Sequence, residues 1–169
     1  MCGIYGIISN KGININDGIE SLKKTQHRGP DNQGYWVDKK KRIFIGHNRL
    51  SIIDVSPISN QPMISKDTET VLTFNGEIYN YKIIRKELLN CGISFTTSSD
   101  TEVVIKSLAQ WGVNALNKFK GMFSFCLYNI KEQTIILARD RVGEKPLFYS
   151  VEDGVFQFSS ETRNLNLTD

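Results

Sequence analysis

Apolar residues in this chain arrive in short runs, and that pattern limits its folding options more than any other feature. β-Branched and aromatic stretches recur at residues 4–8, 35–37, 43–46, 71–74, 122–128, 134–138, 147–151 and 155–158. Each has the length and residue types of a strand. Residues 122–128 and 134–138, joined by Asn129-Ile130-Lys131-Glu132-Gln133, spell a hairpin with a polar loop. The last three runs look like a meander turning at Gly143-Glu144-Lys145-Pro146 and Glu152-Asp153-Gly154.

Helical spacing is confined to three segments. Residues 17–26 carry only Ile19 and Leu22 as an apolar face. Residues 81–91 place Ile83, Ile84, Leu88 and Cys91 on one stripe, with Asn80 as N-cap and Gly92 where a left-handed residue ends a helix. Residues 101–111 line Val103, Val104, Leu108 and Trp111 on one face, and Ser99-Asp100-Thr101-Glu102 fits a capping box. Helices therefore stand before and between groups of strands without alternating one for one, which predicts an α+β layered domain over a doubly wound sheet.

At 169 residues the chain fits one domain, and 40% hydrophobic content supplies a core. A net charge of +3 is far from a nucleic-acid footprint. The basic run from Lys39 to Arg42 lies between two strand-like stretches, where a solvated hairpin turn is expected. Three cysteines, Cys2, Cys91 and Cys126, fit poorly with a disulfide framework and predict a reduced, cytoplasmic setting. Residues 4–8 lack the flanks of a signal peptide, and no run approaches the ~20 apolar residues of a membrane span. Asn166-Leu167-Thr168 matches a glycosylation pattern and is read as chance.

Several chemistries are absent from the pattern: no Gly-x-Gly-x-x-Gly, no phosphate loop ending Gly-Lys-Ser/Thr and no His-Glu-x-x-His. His27 and His47 stand twenty residues apart with no cysteine beside either, so no zinc site is expected. Cys2 is different. Once Met1 is removed it carries both a thiol and a free α-amine, and an amine with a reference pKa of about 7.7 to 8.0 can accept the thiol proton near neutral pH. A cysteine packed as a small hydrophobe at the start of a strand is the alternative that this residue alone leaves open.

Six ordered blocks shift that balance: Met1-Cys2-Gly3-Ile4, Gln26-His27-Arg28-Gly29-Pro30-Asp31, Gly46-His47-Asn48-Arg49-Leu50-Ser51-Ile52-Ile53-Asp54, Phe74-Asn75-Gly76-Glu77-Ile78-Tyr79-Asn80, Ser99-Asp100-Thr101-Glu102 and the segment from Ala138 to Tyr149. Together they resemble the glutaminase domain of glutamine-hydrolysing asparagine synthetase, a class II glutamine amidotransferase and N-terminal-nucleophile hydrolase. The resemblance implies a four-layer αββα sandwich of two antiparallel sheets flanked by helices. It also implies hydrolysis of L-glutamine to glutamate and ammonia through a thioester on Cys2.

By the same resemblance, Arg49 would hold the α-carboxylate of glutamine and Asp100 its α-ammonium. Asn75 and Gly76 would form the oxyanion hole, while Ile52 and Glu77 would line the pocket. Each has a bland alternative: a surface salt bridge for Arg49, a helix-start residue for Asp100 and an Asn-Gly turn after residues 71–74 for the pair. His27 and Arg28 read as loop-structuring residues, and Arg139, Asp140 and Arg141 as an ion network. The resemblance further implies a single glutamine amidotransferase type 2 domain over residues 1–169, with no cofactor for glutamine hydrolysis. ATP and Mg would serve only a synthetase domain, expected here as a separate domain or partner subunit because the chain stops at Asp169. An excised domain, a split subunit and a truncated product all fit that length. Two alternatives remain: the same chemistry feeding another acceptor such as a sugar, and a non-catalytic module that keeps the fold.

Overall fold

The computed structural model describes residues 1–165, so Asn166 of the glycosylation pattern lies outside the described residues. Among the described residues nine strands form two antiparallel sheets. The first sheet holds β1 (Gly3–Ser9), β2 (Asn32–Val37), β3 (Ile43–Arg49), β8 (Phe148–Glu152) and β9 (Val155–Ser159), in the order β2-β3-β1-β9-β8. The second holds β4 (Met63–Ser65), β5 (Thr70–Ile78), β6 (Gly121–Asn129) and β7 (Thr134–Arg139), in that order.

Strand alternation explains the layering. Ile4, Ile43, Ile45 and Phe158 of the first sheet meet Val71, Cys126 and Tyr128 of the second in the central core. Their neighbours in sequence point the other way. Tyr5 and Phe44 pack against Leu22 of α1 (Ile15–Lys23). Leu72, Phe74, Phe125 and Leu127 pack against Ile84 and Leu88 of α2 (Tyr81–Asn90) and Val103, Val104 and Leu108 of α3 (Asp100–Trp111). The result is the α+β, αββα order expected from the resemblance. Strands covered on both faces also read as nearly continuous apolar runs.

Several local expectations need correction. The last three runs are not a meander: β7 ends the second sheet, and the chain then crosses to the first, where β8 and β9 pair with each other. At that crossover the Asp140 carboxylate accepts backbone N–H bonds from Phe123, Val142, Glu144 and Lys145 at 2.9–3.2 Å. The expected Arg139-Asp140-Arg141 ion network is therefore a carboxylate gathering main-chain donors, and none of the three forms an ion pair among the described residues.

β5 does not stop at Phe74 but runs on to Ile78, which places Asn75 and Gly76 inside a strand. The short β4 was not expected at all. On α2 only Ile84 and Leu88 are buried, whereas Ile83 and Cys91 are exposed. Asn80 precedes that helix, yet its side chain is spent on Lys118 O and Lys120 N instead of capping. α1 starts two residues earlier than its apolar face suggested, at an Asn14 cap, and a separate 3-10 turn, Gln26–Arg28, follows it. No described helix is long and apolar enough to cross a membrane.

Candidate active site

One cavity of about 240 Å³ opens where the two sheets and the start of α3 converge, and Cys2, Arg49, Ile52, Asn75, Gly76, Glu77 and Asp100 all line it. Residues far apart in sequence are thus brought together at the ends of β1, β3 and β5. Met1 and Lys145 complete one side, with Met1 54% exposed and its sulfur 3.4 Å from the Lys145 ammonium.

Cys2 is half-buried. Leu50 N–H donates to its Sγ at 3.3 Å, and the thiol lies 3.6 Å from Leu50 O. Burial pushes the thiol pKa up, while the Leu50 bond, the N-terminal charge and Arg49 pull it down. Its carbonyl is held by Arg28, whose Nε donates at 3.0 Å and whose Nη1 pairs with Glu161 at 3.1 Å. Glu161 also receives His27 at 2.9 Å. The loop-structuring expectation for His27 and Arg28 is therefore too modest for Arg28, which fixes the residue bearing the thiol.

Arg49 is buried, and its Nη1 donates to Ser56 O at 3.0 Å and Asn60 Oδ1 at 2.6 Å. Nη2 donates to Asp54 O. Among the described residues Nε–H has no acceptor and Nη2 donates only once, so donors remain for a carboxylate. It is not a surface salt bridge. Asp54 in turn accepts from Ser56 and from Ser98 N and Oγ, and these bonds, those to Ser56 first, hold its carboxyl below the usual range. The loop after β3 is thereby tied to the turn before α3.

Asp100 is the first residue of α3, behind the Ser99 cap, whose Oγ accepts Glu102 N. The capping box is only half formed, because the Glu102 carboxylate bonds Thr96 and Thr97 instead. Asp100 Oδ2 accepts Ile78 N–H at 3.0 Å. Burial pushes its pKa up to about 6 against the pull of that and neighbouring N–H groups, and Glu77 adds to the rise.

Asn75 is 1% exposed, and its Nδ2 has no hydrogen-bond partner among the described residues. A buried amide donor of this kind is costly unless something fills the space in front of it. Gly76 lacks room for any side chain, since a Cβ there would lie 2.3 Å from Met122 O and 2.7 Å from Phe123 Cα. Along β5, Phe74 N–H goes to Gln61 Oε1 and Ile78 N–H to Asp100, both on the side away from β6. Alternation puts Gly76 N–H on that same side, between them, at the cavity. Ile52, 70% exposed, stands only at the mouth. Gln61 and His47 bond Phe74 from below; Gln61 lies in none of the ordered blocks, and the block that holds His47 gives no sign of this partner. Among the described residues no cluster of His, Cys, Asp or Glu is arranged to hold a metal.

Comparison with known proteins identifies the family. Residues 1–168 match the glutamine amidotransferase domain. The chain is 38% identical over 170 residues to asparagine synthetase [glutamine-hydrolyzing] 1 of Bacillus subtilis, covering 98% of this chain and 26% of that protein. It is 35% identical to the putative asparagine synthetase [glutamine-hydrolyzing] 2 of Methanocaldococcus jannaschii, covering 98% and 35%. The solved glutamine phosphoribosylpyrophosphate amidotransferase of B. subtilis superposes with a TM-score of 0.82 at 25% identity, covering 96% of this chain and 42% of that one. The chain spans about a quarter to a third of the length of the two synthetases.

Proposed function

Because this chain belongs to the glutamine amidotransferase domain family, we propose that its cavity hydrolyses L-glutamine to glutamate and ammonia, with Cys2 as nucleophile. Removal of the exposed Met1 frees the Cys2 α-amine to take the thiol proton. The thiolate then adds to the side-chain carbonyl carbon of glutamine. The resulting oxyanion meets the Asn75 side-chain amide and Gly76 N–H. Collapse expels ammonia with a proton from the α-ammonium and leaves a thioester, and attack by water releases glutamate and restores the thiol. Arg49 takes the substrate α-carboxylate with its free donors, Asp100 takes the α-ammonium, and Glu77 and Ile52 line the pocket. The two charges select a free amino acid over a peptide-bound glutamine.

The observation that carries this reading is the unpartnered, buried Nδ2 of Asn75, next to an edge-facing Gly76 N–H in the cavity that holds the half-buried thiol. Preorganised donors aimed at a developing charge are each worth about 2.7–4 kcal/mol to the transition state. The reaction as proposed consumes only glutamine and water. The ammonia goes to a synthetase domain or subunit of the asparagine synthetase type, where ATP and Mg would act. Likeness to the phosphoribosylpyrophosphate amidotransferase favours a second reading for the acceptor alone, with the same hydrolysis feeding a sugar. Processed protein, with Met1 loss checked by mass spectrometry, is expected to release glutamate from glutamine, and Cys2→Ala to release none. Equal rates for the two proteins would sink the proposal.

A further inference from the structure

β5 loses its neighbour just where the candidate oxyanion donors begin. β4 accompanies it only as far as the Met63 and Leu72 pair. Beyond that point no strand among the described residues lies beside the free edge of β5, and the backbone of Phe74 is gripped by side chains. Its N–H donates to Gln61 Oε1 at 2.6 Å, and its carbonyl accepts from Gln61 Nε2 at 3.2 Å. One carboxamide thus makes both bonds that a neighbouring strand would make, then stops, so that Gly76 N–H two residues on is left open.

The same carbonyl lies 3.1 Å from His47 Nε2. A carbonyl only accepts, so Nε2 carries the hydrogen and Nδ1 is bare. Nδ1 has no partner among the described residues, and the ring is fully buried. An apolar residue would fill this place without an orphaned nitrogen, so the imidazole is accounted for by the bond from Nε2. His47 sits two residues before Arg49 on β3, and thus on the same face. It therefore links the strand carrying Arg49 to the strand carrying Asn75.

We infer that Gln61 and His47 are positioning residues of the oxyanion hole, holding the Phe74 peptide so that Asn75 Nδ2 and Gly76 N–H face the thiol of Cys2. The inference rests on the glutaminase reading above. Both residues bond the Phe74 peptide, Gln61 from the cavity wall and His47 from outside it, so their loss should loosen the hole more than it disturbs the ends of glutamine or the nucleophile.

The test compares processed wild-type protein with Gln61→Met, Gln61→Glu, His47→Leu and His47→Gln. Gln61→Glu is nearly isosteric but turns an anion toward the Phe74 carbonyl, and it carries the test if thermal melts show that His47→Leu does not fold. Gln61→Met, Gln61→Glu and His47→Leu should each lose about 10- to 100-fold in kcat, the scale set by a displacement near 1 Å, with KM for glutamine changed by about twofold at most. Affinity for the γ-aldehyde analogue of glutamine, whose thiohemiacetal oxygen occupies the hole, should fall in parallel. Alkylation of Cys2 by iodoacetamide should proceed at the wild-type rate. His47→Gln, which restores a donor at the same reach, should recover most of the activity. Unchanged kcat in all folded variants overturns the inference, and so does a loss spread equally over kcat, KM and alkylation. If wild-type protein neither hydrolyses glutamine nor binds the aldehyde, the glutaminase reading falls first and this inference with it.

Discussion

Asp100 carries a buried carboxylate at a helix start, with its pKa pushed by burial to about 6. The folded state then holds that proton more tightly than the unfolded chain, whose reference value is 3.8. Its contribution to stability is therefore highest below about pH 4 and is lost as pH rises to about 6. Asp100→Asn keeps an oxygen for Ile78 N–H and removes the charge. It should stabilise the protein by about 1–3 kcal/mol at pH 7.5 and remove this fall, read from urea midpoints at pH 4 and 7.5. The same variant should raise KM for glutamine about 100-fold or more, because the substrate ammonium loses a buried partner. A midpoint below wild type at pH 7.5 would return Asp100 to a purely structural role. That Asp100, Arg49, Asn75 and Gly76 share one cavity was legible because each sits in an ordered block of neighbouring residues. Arg28 and His47 stand in such blocks too, yet their partners, like that of Gln61, are main-chain groups 26, 27 and 13 residues away, which no local pattern shows.

At the scale of elements, the informative departure is β5. The Asn-Gly pair is a strong turn signal, and the expected strand ended before it. Pairing with β6 overrides that preference through to Ile78 and Gly121. The reason is steric: Gly76 packs its Cα against the backbone of Met122 and Phe123, an approach that no other residue allows. Gly76→Ala must push two strands apart and should cost about 2 kcal/mol or more, lowering Tm by about 4–8 °C and abolishing hydrolysis. Gly92 ends α2 at φ +81 with nothing within 4 Å of an added Cβ. Gly92→Ala should therefore cost only the backbone penalty of about 1 kcal/mol and leave hydrolysis intact. Differential scanning calorimetry of the pair separates close approach from conformational strain, and equal losses would refute the distinction. β4 escaped notice for a related reason: three residues bounded by Pro62 and a polar turn carry no period of their own, and only β5 makes them a strand.

Over the whole molecule, the two sheets were legible as strand-like runs, but their division was not, because alternation says which face is apolar and not which sheet a strand joins. The segment after β7 makes that choice. Asp140 is buried, and burial alone would raise its pKa, yet the N–H donors of Lys145, Glu144, Phe123 and Val142 outweigh this and hold it below the usual range. Its contribution is present above the unfolded value near 4 and is lost as pH falls through the lower folded value, opposite in sign to Asp100. Three of its donors, the N–H groups of Val142, Glu144 and Lys145, lie on the turn that carries Lys145 into the cavity wall, and the fourth, Phe123, belongs to β6, so one carboxylate joins the second sheet to the path into the first. Asp140→Ala leaves those donors without an acceptor and should cost about 2–4 kcal/mol. Asp140→Asn, with one accepting oxygen, should fall between that variant and wild type. Hydrogen exchange should locate the loss at β8 and β9 as well as at the turn, since they rejoin the first sheet through it. A wild-type urea midpoint for Asp140→Ala, or exchange changed only within the turn, would show that the sheets hold their order without this carboxylate.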